Sequence, residues 1–287
     1  YTRHLVDEGD VVEVAEALRS DWLTTGPRVE EFEQTVAGYV GAGYGVAVNS
    51  GTAALHAAMY ALGIGPGDEV IVPAMTFAAS ANCVVYQGGR PVFADVEEDT
   101  LLLDPRRVEA LITPRTRCVI AVDYAGQPCD YQRLREITER RGLALVADSC
   151  HALGASFRGR SVGTLADLTV FSFHPAKHIT TGEGGMVMTD DPERARRMKV
   201  FRNHGITTDF KQRAEQGSWF YEMVDLGYNY RLSDIQCALG VSQMKKLPSW
   251  IERRQEIAGA YCRALETLPG VRPLETRPGV SHAYHLY

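Results

Sequence analysis

Between about residues 46 and 190, short apolar runs alternate with longer stretches in which apolar residues recur every three or four positions. The runs are Val46-Ala-Val, Glu69-Val-Ile-Val, Pro91-Val-Phe-Ala, Cys118-Val-Ile-Ala-Val, Leu143-Ala-Leu-Val-Ala, Leu168-Thr-Val-Phe-Ser-Phe and Gly185-Met-Val-Met-Thr. Strands buried on both faces have this continuous apolar character. The intervening segments, such as residues 53 to 62 and 131 to 141, have helical spacing. The pattern therefore predicts an α/β domain with a mixed, mostly parallel sheet sandwiched by helices.

From Ser233 the pattern turns helical. Ser233-Asp-Ile-Gln236 has the form of a capping box, and Leu239, Met244 and Leu247 follow on one face. Pro248 separates a second helical pattern over residues 251 to 268. Residues 1 to 245 are expected to form one large domain with a helical N-terminal segment. Residues 246 to 287 are expected to open a smaller C-terminal α+β domain. The absence of an initiator Met and the apolar end at His285-Leu286-Tyr287 suggest that both ends are incomplete. Residues 202 to 230, rich in glycine, charge and aromatics, read as an extended excursion of the kind that often carries function.

Composition narrows the function classes. With 287 residues, 45% of them hydrophobic, the chain can bury a substantial core. It carries 30 Lys and Arg against 36 Asp and Glu, a net charge of −6, and its basic residues are scattered. Non-specific nucleic-acid binding is therefore not expected, and an anionic ligand must be held by local donors. No run of about 18 uninterrupted apolar residues occurs, and Tyr1-Thr-Arg-His-Leu lacks the basic and apolar regions of a signal peptide. A cytoplasmic location with no membrane association follows as the expectation. The six cysteines are widely spaced without a C-x-x-C pair, which argues against zinc and disulfide frameworks.

Candidate chemistry is densest in Phe171-Ser-Phe-His-Pro-Ala-Lys-His-Ile-Thr-Thr-Gly-Glu-Gly-Gly185, where a strand ends and Pro175 blocks helix. Lysine is scarce, occurring only at 177, 199, 211, 245 and 246. Lys177 alone sits among small, polar and glycine residues. A lysine at a strand end in a partly desolvated pocket can have a lowered pKa and form a Schiff base with an aldehyde. By itself it reads more readily as a loop lysine in an ion pair. Asn49-Ser50-Gly51-Thr52-Ala53-Ala54-Leu55 follows a strand and opens a helix, so its N–H groups and the helix dipole can receive a phosphate. Leu145-Val-Ala-Asp148-Ser-Cys-His151 places a carboxylate just beyond a strand, where α/β sheets bind ligands. Separately these are a capped helix and an N-cap. Together they supply a phosphate cradle, an acid for a pyridinium nitrogen and an amine for an aldehyde, which are the partners pyridoxal phosphate needs.

Two competing motifs fail. His174 and His178 are four apart, but Pro175 opposes a helix that would present both to a metal, and no further ligand pattern accompanies them. In Gly41-Ala-Gly-Tyr-Gly45 the third glycine comes one residue early and a strand follows rather than precedes, which disfavours a dinucleotide loop.

The ordered segments Ser20-Asp-Trp-Leu-Thr-Thr-Gly-Pro27, Asn49 to Leu55, Gly65-Pro-Gly-Asp-Glu-Val70, Thr76-Phe77-Ala-Ala-Ser, Asp148 to His151, Ser172-Phe-His-Pro-Ala-Lys177, Thr181-Gly-Glu-Gly-Gly185 and Leu226-Gly-Tyr-Asn229-Tyr-Arg-Leu-Ser-Asp-Ile-Gln236 resemble the DegT/StrS sugar aminotransferases over nearly the whole chain. The resemblance implies the fold-type-I pyridoxal-phosphate architecture. It implies that Lys177 forms the Schiff base to the cofactor, that Asp148 pairs with the pyridine nitrogen and that Phe77 stacks on the ring. Gly51, Thr52, Ala53 and Ser172 would hold the phosphate, with His151 near the ring. Asn229 would reach the phosphate of the neighbouring subunit, so a homodimer with shared sites is implied. Thr25, His174, Tyr230 and Arg231 are expected on the substrate side. Asp-Ser-Cys-His departs from the usual Asp-Ala-Ala-His or Asp-Ala-Ala-Gln, and Ser149 and Cys150 read as neutral replacements.

Asp123-Tyr-Ala-Gly-Gln-Pro-Cys-Asp130, Arg202-Asn-His-Gly-Ile-Thr207 and Gly217-Ser-Trp-Phe-Tyr-Glu-Met223 look like the branch that aminates UDP-linked 4-keto-6-deoxy-N-acetylhexosamines with glutamate as donor, including the transaminase of pseudaminic acid synthesis. Trp219 and Tyr221 are candidates for lining the sugar pocket. The alternatives are a dTDP- or GDP-linked keto-sugar, a dehydratase, or a non-catalytic cofactor-binding regulator. The related dehydratases replace the lysine with histidine, whereas Lys177 is retained, and intact Lys177, Asp148 and Asn229 weigh against the regulator.

Overall fold

The computed structural model describes residues 3–207, 217 and 219–287. Each apolar run named above becomes a strand: β1 (Tyr44–Val48), β2 (Glu69–Pro73), β3 (Arg90–Ala94), β4 (Thr116–Val122), β5 (Ala144–Asp148), β8 (Leu168–Ser172) and β9 (Gly185–Thr189). Two short strands, β6 (Ser156–Phe157) and β7 (Arg160–Ser161), intervene. They form a separate small sheet with β10 (Val280–Ser281). The main sheet has the order β1-β9-β8-β5-β4-β2-β3. Neighbours from β8 to β3 pair in parallel, while β9 is antiparallel to both β8 and β1.

Alternate residues of these strands enter two different cores, because side chains on a strand point to opposite faces in turn. Val46, Val48, Val70, Val72, Ile120, Val146 and Val170 pack beneath α3 (Gly51–Leu62), α4 (Ala79–Tyr86) and α7 (Pro192–Phe201). Ala47, Ile71, Val119, Ala121, Leu145, Phe171 and Met186 face the opposite layer, with α2 (Pro27–Val40), α6 (Tyr131–Arg141) and α8 (Asp234–Met244). The helices α1 (Glu8–Arg19), α5 (Pro105–Leu111) and α9 (Leu247–Leu265) complete the described helical elements of four or more residues. None of the described helices is long and apolar enough to cross a membrane.

Helix boundaries follow capping chemistry. The Ser233 side chain accepts from the Gln236 N–H while the Gln236 side chain reaches the Ser233 N–H, so the capping box is present. Pro248 lies in the first turn of α9, where its missing N–H removes no helical bond. The second helix therefore starts earlier than its apolar spacing suggests. Of the 202 to 230 excursion, residues 208–216 and 218 lie outside the described residues. The part from 227 to 231 runs beside residues 201–204 and back to the end of β1.

One buried ion cluster ties this segment to the sheet. Glu33 of α2 accepts from the Ala47 N–H of edge strand β1 at 2.9 Å and from Arg202. Arg202 in turn donates to the Ala47 carbonyl at 2.6 Å, so side chains occupy both outward-facing groups of that residue. Lys199 adds a second cation 3.4 Å from Glu33. Glu33→Ala leaves a buried N–H and a largely buried guanidinium without their carboxylate. It is expected to cost on the order of 3–5 kcal/mol, read as a lower urea midpoint with an unchanged m-value.

Candidate active site

Strand register brings the site together. Val48 pairs with Gly185, and Gly185 pairs with Ser172, so the end of β1, the start of β9 and the end of β8 stand in one row. On the other side Asp148 closes β5 opposite Val122 of β4. These positions lie at the carboxyl edge of the parallel strands, where loops leave the sheet and a crevice opens.

From Val48 the chain turns directly into α3. Ser50 caps this helix by accepting from the Ala53 N–H at 3.1 Å. Among the described residues no acceptor meets the N–H of Gly51 or Thr52. The Ala53 N–H, expected to help hold a phosphate, is thus already used by Ser50. A Cβ on Gly51 would come 3.0 Å from the Ser172 Cβ and 3.3 Å from the Cys150 Sγ, so a side chain there would fill the space over the helix end. Gly185 is required more strictly, since a Cβ would lie 2.4 Å from the Ser50 carbonyl oxygen.

The Asp148 carboxylate is only 6% exposed and faces no cation within salt-bridge distance among the described residues. Its Oδ2 accepts from Ser80 Oγ at 2.6 Å, and its Oδ1 from the Cys150 N–H at 3.3 Å. Ser80 also pairs with Thr76 Oγ1 at 2.7 Å. Lys177 sits in the turn after β8, its N–H donating to the His174 carbonyl at 2.8 Å. Burial lowers the pKa of its half-buried amine, while Asp148 opposes that shift. Burial pushes the neighbouring Cys150 thiol well up, which keeps it neutral and leaves Asp148 as the counter-charge.

The imidazole of His151 is pushed down to about 4 by burial and by Lys177, so it is neutral in ordinary buffers. Its buried Nδ1 has no hydrogen-bond partner among the described residues. His285 packs on it with ring centroids 4.3 Å apart, and His178 lies behind His285 at 5.6 Å, donating to the Ala283 carbonyl at 3.0 Å. His174 is exposed, and its Nδ1 accepts from the Ala176 N–H at 3.2 Å. Phe77, between Thr76 and Ser80, leaves its ring 76% exposed.

Not every expected residue joins this group. Asn229 is exposed, and its carbonyl accepts from Asn49 Nδ2 at 3.3 Å. The Tyr230 hydroxyl is engaged by His56. Arg231 donates to Asn203 Oδ1 at 2.7 Å and, with Thr25, lines a different cavity of about 420 Å³. Trp219, 87% exposed, and Tyr221 lie on the outer part of the excursion. The sequence reading of Ser149 needs correction. Ser149 is fully buried, and its Oγ donates to Asp123 Oδ2 at 2.6 Å, so it is a structural link and not a neutral replacement. Asp123, from a motif associated with substrate, also accepts from the Cys129 N–H at 2.9 Å and Tyr131 Oη at 2.8 Å. The motif therefore begins inside the protein. Sequence reasoning also missed Ser80 and His285 as neighbours of the candidate residues. Ser80 was within reach, since it closes the Thr76-Phe77-Ala-Ala-Ser segment; no local signal marked His285.

The DegT/DnrJ/EryC1/StrS aminotransferase family model matches residues 5–287. The chain belongs to this family. The spore coat polysaccharide biosynthesis protein SpsC of Bacillus subtilis is 42% identical over 288 residues, covering 100% of this chain and 74% of that protein. Among solved structures, the PMP form of Spr1654 from Streptococcus pneumoniae superposes with a TM-score of 0.94 at 35% identity, covering 100% of this chain and 77% of that one. PseC of Helicobacter pylori, an aminotransferase involved in the biosynthesis of pseudoaminic acid, gives 0.92 at 35% identity, covering 100% and 76%. As a DegT/StrS member the chain is a pyridoxal-phosphate-dependent sugar aminotransferase with the mixed sheet of that fold.

The residues present fit the cofactor. The space kept open by Gly51 beside Ser172 and two unused N–H groups suits a phosphate. A buried carboxylate without a cation suits a protonated ring nitrogen, and the exposed Phe77 ring offers an aromatic face. Among the described residues, no group of three His, Cys, Asp or Glu side chains is placed to hold a metal ion.

Asp123 makes a pH-dependent prediction. Burial raises its carboxyl from the ordinary carboxylate range to about 7, against the donors that favour the charged form. Because the folded pKa exceeds the unfolded one, the folded state holds the proton more tightly. Stability attributable to this group should therefore fall as pH rises from about 4 through 7 and level off above. Asp123→Asn keeps the acceptor oxygen and removes the charge. Relative to the parent protein, the variant should gain on the order of a few kcal/mol between pH 5 and pH 8 in chemical denaturation.

Proposed function

We propose that this aminotransferase moves the amino group of glutamate to C4 of a UDP-linked 4-keto-6-deoxy-N-acetylhexosamine, working as a homodimer in which Asn229 of each subunit completes the other's site. The observation that carries the assignment of residues is the convergence of Lys177, Asp148 and the open first turn of α3 at one edge of the sheet. The sugar class is supported by the similarity to PseC over the whole chain and by the segments around Arg202 and Trp219.

Bound pyridoxal phosphate supplies an electrophilic carbon for an amine and a ring that withdraws electrons when its nitrogen is protonated. Asp148 holds that proton, and Ser80 fixes the carboxylate so that it needs no reorganisation. Gly51 and Thr52 donate to the phosphate through N–H groups at the positive end of α3, with Ser172 beside them. Burial shifts the Lys177 amine toward its neutral form, the form that would take a proton from a substrate carbon and return it. His151 stays neutral beside it, which avoids a second buried charge next to the lysine. His174, exposed at the mouth of the turn, faces the incoming substrate.

The dimer is supported by two features of one segment. Asn229 is exposed, and among the described residues its side chain makes no hydrogen bond, only its carbonyl being engaged by Asn49. The neighbouring Trp219, Met223 and Leu226 leave apolar surface exposed among the described residues, a surface suited to a second copy of the chain. The division after residue 245 belongs to the same proposal; α9 begins at Leu247, and its Leu247 and Ile251 pack into the core shared with α2 and α8.

The test is an absorption spectrum of the purified protein loaded with pyridoxal phosphate. Glutamate should bleach the visible band, and a UDP-4-keto-6-deoxy-N-acetylhexosamine should restore it. Bleaching without restoration by that sugar would remove the substrate assignment and leave the aminotransferase. Lys177→Ala should still bind the cofactor through its phosphate and ring nitrogen but lose turnover by on the order of 10³-fold or more. Undiminished transfer by that variant would overturn the role given to Lys177.

A further inference from the structure

Helix α3 carries a second polar side chain, just past the cradle, that the reaction leaves unused. His56 is 2% exposed. Its Nε2 lies 2.8 Å from Gln87 Nε2 and its Nδ1 3.1 Å from the Tyr230 hydroxyl. An amide nitrogen only donates, so this network assigns Nε2 as the bare nitrogen and gives Nδ1 the proton, which it donates to the Tyr230 oxygen. Burial lowers the imidazole to about 4, in keeping with this neutral tautomer.

The ring is enclosed by Tyr86, Phe201, Tyr228 and Tyr230, at centroid distances of 5.2, 5.1, 5.0 and 5.9 Å. Tyr228 and Tyr230 stack on each other at 4.9 Å, with planes 16° apart. In an extended segment alternate residues share a face. The two tyrosines therefore pack inward against His56, and Asn229 between them is turned outward. The backbone is pinned at the same place, with the Tyr228 N–H donating to Phe201 O at 2.7 Å, the Tyr230 N–H to Arg202 O at 3.0 Å and the Asn49 N–H to Tyr230 O at 2.9 Å.

We propose that His56 is a positioning residue for Asn229, so that the helix whose first turn cradles one subunit's cofactor also aims the arm that reaches the other's. The inference rests on the reading of Asn229 given above. His56 has no hydrogen bond or ring contact with Lys177, Asp148 or Ser172 among the described residues, so its effect on the cofactor must pass through the tyrosine pair.

The experiment is a double-mutant cycle read as the dissociation constant of pyridoxal phosphate from the full chain, by absorption titration, with thermal unfolding as a control. Asn229→Ala should weaken binding about tenfold, as expected for one hydrogen bond to a charged group. His56→Ala should weaken it by a similar or smaller factor alone, and by less than about twofold once Asn229 is gone. His56→Asn, which returns a donor to the position of Nδ1, should recover most of the loss. Tyr230→Phe removes only the hydroxyl and repeats the test should His56→Ala fail to fold. Equal weakening with and without Asn229, or unchanged affinity in both His56→Ala and Tyr230→Phe, would overturn the proposal. Unchanged affinity in Asn229→Ala would instead remove the reading of Asn229, and this proposal with it.

Discussion

Val48, Gly185 and Ser172 stand in one row across three strands, and that row fixes how closely the start of α3 can approach the turn that carries Lys177. The approach is possible only because residue 185 has no side chain to meet the Ser50 carbonyl and residue 51 has none to meet Ser172. The strand pairing fixes the register of the row, so the cradle is built on the sheet itself. The two buried cores above and below keep it so, since a slip of one residue in any central strand would send its apolar side chains to the wrong layer.

Charge is managed by separating two acids that sit close together. Asp148 is held by neutral donors and has a lysine within electrostatic reach, whereas Asp123, one residue beyond β4, is sealed inside with three donors and a raised pKa. The nearby ionisable groups, His151 and Cys150, are both driven to their neutral forms by burial. What remains charged at the edge of the sheet is little more than one carboxylate and one amine. In a site of low polarity each of them then has a strong influence on the other.

The main sheet was largely legible from the sequence, because a strand buried on both faces leaves a continuous apolar run that local pattern can show. Seven such runs gave the seven strands. The positions of Lys177, Asp148, Ser172 and the Ser50 cap were legible for a related reason, as each sits at or just past the end of a run. The supporting residues were not. Ser80 lies 68 positions from the carboxylate it holds, Ser149 lies 26 from Asp123, and His56 lies 174 from Tyr230. Their partners are chosen by strand order, which a β-α-β pattern leaves open. His56 also sits at a position that helical spacing marks simply as core, and Asp123 was hidden in a motif whose resemblance pointed outward to substrate.

Strand β1 ends the sheet on one side, and such an edge normally offers free N–H and C=O groups to any other strand. Here both outward groups of Ala47 are taken, one by Glu33 and the other by Arg202. A side-chain plug of this kind interrupts the edge as a template at that residue. A strand added at Ala47 would find neither group free, so the plug opposes sheet-to-sheet pairing of two copies at that point of β1 and leaves side-chain surfaces as the way for copies to meet.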